Sequence, residues 1–116
     1  MQPIDPAAKL ATFDEHWSPE IVGAFNGNDP MVVTVLGKFV WHHHPETDDF
    51  FMVLSGGLAI DLSEGAVMLR PGQVRVVPRG MWHRPRATVG THLPLIEPAG
   101  TPNTGDPATT AVKVRV

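Results

Sequence analysis

Proline and glycine interrupt this chain so often that a long helix has nowhere to form. Twelve Pro and 11 Gly are spread through 116 residues. Proline removes a backbone donor and clashes inside a helix, and glycine costs about 1 kcal/mol there relative to alanine. The segments between these breaks are short, apolar and rich in β-branched residues. They read MVVTVL at 31–36, KFVWHHH at 38–44, FFMVL at 50–54, LAIDL at 58–62, AVMLR at 66–70 and VRVV at 74–77. Further short strands are expected at 82–86 and 91–96, and 111–116 can add a last one. NGNDP, SGG, SEG, PG and PRG supply the turns. Eight to ten short strands with turns every 8–12 residues or so predict an all-β sandwich or barrel. Asp5 and Pro6 suit the cap and first turn of one short helix within 5–13.

The length fits one domain, with residues 1–30 as a lead-in packed on a barrel formed by 31–116. Net charge is -3 and the pI is about 6.0, so the basic footprint of a nucleic-acid binder is missing. The chain has no cysteine, which excludes disulfides, thiolate metal sites and cysteine nucleophiles. No apolar run approaches the ~18 residues of a membrane span. The first residues carry acids and prolines where a signal peptide needs a basic and then an apolar stretch. A cytoplasmic protein without membrane or nucleic-acid partners is expected.

Charge is segregated along the chain. Residues 39–69 hold five acids and no Lys or Arg, whereas 70–86 hold five arginines and no acid. Neighbouring strands can pair such charges across a sheet. Alternatively, an arginine can stand beside a pocket for an anion. Pairing is the favoured reading.

The histidines are more informative. His42, His43 and His44 are consecutive in a strand-like pattern, so His42 and His44 project to one face and His43 to the other. Two imidazoles buried side by side need partners. A metal ion satisfies both and asks for further ligands, for which Glu46, Asp48, Asp49 and the distant His83 are available. A solvated histidine run is the competing explanation.

Two spaced motifs resemble the cupin superfamily. GKFVWHHHPETDDFFMVLSG carries His42, His44, Asp49 and Gly56 in the register of the first cupin motif, with Gly37 one residue closer than usual. PGQVRVVPRGMWHRPRA carries Gly72, Pro78, Gly80 and His83 in the register of the second. Asp49 stands where the family usually has Glu, and Ala87 where it often has Asn. The resemblance spans roughly residues 32–96. EPAGTPNTGD at 97–106 is similar to the end of small single-domain bacterial cupins, a group of cupin 2 type often described as mannose-6-phosphate isomerase-like. The resemblance implies a single-domain jelly roll, a double-stranded β-helix barrel. It further implies one divalent transition metal per subunit (Zn, Fe, Mn, Ni or Cu), held by His42, His44, Asp49 and His83.

Phe51 and Val53 share the parity of Asp49 and are the expected pocket residues, with Glu46 as a further pocket candidate and rival carboxylate. Two function classes follow. One is a metalloenzyme acting on a small molecule by dioxygenase, isomerase or decarboxylase chemistry. In it, Glu46, Asp48 or metal-bound water would do acid–base work, since there is no Cys and no Tyr. The other is a non-catalytic module that binds or senses a metal or small ligand. Trp41, Phe50, Met52 and Leu54 put apolar surface outside the barrel, so a homodimer is expected.

Overall fold

The computed structural model describes residues 2–106 and 113–115. A short helix, α1 (Pro6–Leu10), opens the chain. Asp5 caps it, its Oδ1 accepting from the Ala7 N–H at 3.0 Å. Eight strands follow among the described residues: β1 (Glu20–Ile21), β2 (Asn28–Lys38), β3 (Asp49–Met52), β4 (Leu58–Leu62), β5 (Gly65–Leu69), β6 (Val74–Val77), β7 (Arg84–Pro98) and β8 (Val114–Arg115). They form a six-stranded sheet, ordered β5-β4-β7-β2-β1-β8, and a two-stranded sheet of β3 and β6. Every pairing is antiparallel except β1 with β8. No described helix is long and apolar enough to cross a membrane.

The two sheets close over a core of Val33, Val35, Phe51, Val53, Leu58, Ile60, Leu69, Val77, Ala87 and Leu93. Each fully buried aliphatic or aromatic side chain here contributes about 1.5–3 kcal/mol of transfer free energy. Alternation selects them. On β3, Asp49 and Phe51 face inward while Phe50 and Met52 are only half-buried.

The turns behave as their residues dictate. Gly56 has a φ of 90°, and a Cβ there would lie 2.4 Å from Thr91 Oγ1. That hydroxyl is itself buried and bonded to the Gly57 backbone. Only glycine fits so close to β7.

Three expectations need correction. The segments at 82–86 and 91–96 belong largely to one continuous strand, β7, because β2 pairs with it from Asn28↔Pro98 to Lys38↔Arg86. An irregularity between Val35 and Gly37 absorbs the mismatch. NGNDP is not a five-residue turn: Asn26 and Gly27 make the turn, and β2 begins at Asn28. The KFVWHHH segment is not a regular strand, since β2 ends at Lys38. Its backbone still bonds at intervals to the chain before and into β7. Phe39 N–H donates to Pro85 O, His42 and His83 exchange a reciprocal pair, and Gly80 N–H donates to His44 O. The alternation of side chains therefore survives. Of the strand expected at 111–116, β8 supplies Val114–Arg115, while 111, 112 and 116 lie outside the described residues.

The segregated charges pair across strands. Asp61 on β4 accepts from Arg84 Nη2 at 2.8 Å and from Arg86 Nε at 3.0 Å, both on β7. Both guanidinium groups hold the Asp61 carboxyl below its usual pKa against the opposing effect of its desolvation. Asp48 accepts from the Arg79 backbone N–H.

Candidate metal centre

His42, His44, Asp49 and His83 meet inside the barrel, with one potential donor atom from each within 4.8 Å of all the others. They arrive from three places. The bonded but irregular 39–44 segment carries two histidines. The first residue of β3 carries the aspartate. The approach to β7 carries His83. Asp49 Oδ2 is the focus, at 2.8 Å from His83 Nε2, 3.3 Å from His44 Nε2 and 3.9 Å from His42 Nε2. All four residues are buried.

The rings are aimed by the main chain. His42 Nδ1 lies 2.9 Å from Val40 O, and His83 Nδ1 lies 2.9 Å from Met81 O. A carbonyl only accepts, so each Nδ1 carries the proton. In the neutral ring, Nε2 then presents its lone pair to the cluster centre. Burial lowers the His42 pKa to about 4, outweighing the opposing Val40 bond, so this ring is neutral at pH 7. Burial would raise the Asp49 pKa, but hydrogen bonds from His44 and His83 outweigh it and hold it at about 2. The His44 pKa is raised: the Asp49 bond and charge overcome the effect of burial.

Nε2 can donate to Asp49 only when it carries a proton; in the neutral Nδ1–H ring the lone pair faces the ionised carboxylate and repels it unless a cation lies between them. Neutral imidazole and ionised carboxylate are also the states that ligate metals, and carbonyl-oriented Nδ1–H groups are the usual outer support of such rings. The residues therefore fit a divalent transition metal, and Asp49, despite its shorter side chain, reaches the histidines.

The group borders an apolar cavity of about 50 Å³. Phe51 lines it and meets the His83 ring edge-on, with centroids 5.7 Å apart. Trp17 and Phe39 stack at 4.8 Å to form another wall. The remaining sequence candidates lie elsewhere. Val53 is fully buried in the core and is not part of the cavity wall. Glu46 is exposed and lines a separate surface groove with His44 and Pro45. Asp48 is exposed as well. His43 leaves the cluster and packs on Trp82, with ring centroids 4.3 Å apart.

Glu97 is the functional candidate that sequence reasoning missed. Near the end of β7 it is buried and lines the same cavity as His42 and Asp49. Lys113 Nζ lies 3.3 Å from its Oε2 and also bonds Thr101 O. Burial raises its pKa, and the negative charge of Asp49 adds to this against the pull of Lys113. The signal was parity, because Leu93, Leu95 and Glu97 share one face of β7.

A two-sheet antiparallel barrel with three histidines and a carboxylate converging inside it defines a protein of the cupin class. Residues 30–96 match Cupin_2, the cupin domain family, and the chain belongs to that family. It is 39% identical over 71 residues to YdbB of Bacillus subtilis, covering 60% of this chain and 63% of that protein, which is under two thirds of the relative's length. A cupin-2 domain protein from Shewanella frigidimarina has a similar crystal structure, with a TM-score of 0.80 and 36% identity over 82% of this chain and 93% of that one. The fold likeness extends to hydroquinone 1,2-dioxygenase of Sphingomonas sp. TTNP3. The TM-score there is 0.75 at 18% identity, over 85% of this chain and 33% of the dioxygenase chain.

Proposed function

We propose that this cupin binds one divalent transition-metal ion per subunit (Zn, Fe, Mn, Ni or Cu) through His42, His44, Asp49 and His83, and acts on a small molecule held at the adjoining cavity. The observation that carries this reading is the convergence of three histidine Nε2 atoms on Asp49 Oδ2, with two of the rings locked by main-chain carbonyls. Such an ion, when bound, supplies Lewis acidity and positions for substrate. The chain's own contribution is an apolar wall that excludes water, together with Glu97, a carboxylate able to hold or move a proton beside the ion. A dioxygenase reaction takes support from the Sphingomonas enzyme, whose structure holds 4-nitrophenol. The small size of the cavity favours a second reading, a module that binds a metal or small ligand without turning it over.

Elemental analysis of the purified protein, followed by oxygen uptake with phenols and dicarbonyls, tests the two readings. About one metal per subunit with turnover is the expected result. Metal without any turnover moves the function to the binding module, and no metal removes the metalloenzyme and leaves only a module for a small ligand. Glu97→Gln is expected to keep the metal and to lower turnover by about 100-fold, the usual contribution of a positioned acid or base. Metal loss in this variant would make Glu97 a ligand instead.

The homodimer is also a proposal. Phe50 pairs with Val76 and Met52 with Val74 on the outer face of the two-stranded sheet, and both valines are about half exposed. A second copy laid on this strip by a twofold axis covers both strips with the same residues. Sedimentation at micromolar concentration is expected to give twice 12.6 kDa. Val76→Lys is expected to return the single-chain mass, and a monomer without the substitution would refute the dimer.

A further inference from the structure

The cavity beside the metal centre is too small for the ring of a typical ligand. Its volume is about 50 Å³, whereas an apolar cavity of about 150 Å³ is what accepts benzene. A much larger groove of about 540 Å³ lies against it on the outside, and Phe39 and His42 border both spaces. The walls of this groove are Val40, Trp41, His43 and Trp82, together with Thr104, Gly105 and Asp106. Trp41 and Trp82 are 44% and 55% exposed.

The groove is held in shape. Gly105 presses on the ligand-bearing segment so closely that a Cβ would lie 1.9 Å from His43 O. Its φ of 76° is one that glycine adopts freely. On the other side, the Arg84 guanidinium sits 5.3 Å from the Trp41 ring centroid, and His43 supports Trp82. The side chains on offer are mainly aromatic and aliphatic. Such a surface suits the flat face of a planar ring more than a sugar, whose hydroxyls each need a partner.

We propose that this groove is a second part of the same binding site and takes the planar aromatic body of a ligand whose small polar head lies at the histidine–aspartate group. The proposal rests on the reading of that group as a metal centre with a small-molecule ligand. Phe39 and His42 form the partition that the ligand straddles.

Two hydroxamates test it on zinc-loaded protein. Acetohydroxamate is a metal-chelating head alone, and 2-naphthohydroxamate adds a planar body. The naphthyl compound is expected to bind at least about tenfold more tightly, by stacking and apolar burial. Trp82→Ala, and independently Thr104→Trp, which fills the groove from another wall, are expected to erase most of that advantage while acetohydroxamate binding persists. Met68→Ala, on the exposed face of β5, is expected to leave both affinities unchanged. No naphthyl advantage, or one that survives both groove substitutions, would overturn the proposal.

The two readings fail differently. If the protein takes up no zinc, the metal centre is refuted, and the groove is then read with 2-naphthamide on the metal-free protein. Binding that weakens in both groove variants upholds it, and absence of binding refutes it.

Discussion

His83→Ala is expected to leave the protein without stoichiometric metal after dialysis, with affinity lowered by more than about 100-fold. Loss of even an outer partner of a metal ligand typically costs about 10–100-fold, and His83 Nε2 makes the shortest contact to Asp49, at 2.8 Å. His43→Ala is expected to retain the metal, because His43 packs on Trp82 outside the cluster. Metal content per subunit, measured for both variants, is the test, and equal losses would refute the assignment. The His42–His83 backbone bridge does not depend on either side chain. A thermal melt therefore separates loss of the ligand from loss of the fold.

The second large effect belongs to Asp49. Asp49→Asn preserves shape but removes the charge at the focus of the three rings. Metal affinity is expected to fall by about 10–100-fold, the worth of a charged contact of about 1.5–3 kcal/mol. Glu46→Gln is expected to change nothing, because Glu46 is exposed on another groove. A loss confined to the Glu46 variant would transfer the ligand there. No loss in either would leave three histidines completed by water. Asp49→Glu gives the family's usual residue, but Asp49 already reaches the histidines. The extra methylene has to be packed into a buried site, at an expected stability cost of about 1–3 kcal/mol.

Much of this arrangement is legible in the sequence because it depends on local rules. LAIDL and VRVV coincide with β4 and β6 since glycine or proline turns bound them on both sides. The histidine parity holds because alternate backbone bonds persist even where the 39–44 segment departs from a regular strand. What escapes the sequence is long-range. Residues 87–90, left between two expected strands, belong to the single strand β7, at the point where its register with β2 shifts. Glu97 precedes a proline at the start of a polar stretch and so resembled tail. Its carboxylate is paired with Lys113, which is 16 residues away. Trp17 belongs to the lead-in, and its place in the cavity wall depends on its stack with Phe39 and on its indole N–H donating to Leu36 O at 2.8 Å.

The anchoring of His42 and His83 by carbonyl oxygens has a consequence for how such a site can diversify. The atoms that orient the rings belong to the backbone of residues 40 and 81, and every amino acid supplies the same oxygen. Val40 and Met81 are themselves exposed, at 52% and 41%. Mutation can therefore rewrite the side chains at both positions without turning either imidazole. The outer surface and the inner donor set are inherited as separable traits, so the surroundings of the site can drift toward new ligands while its coordinating geometry stays constant.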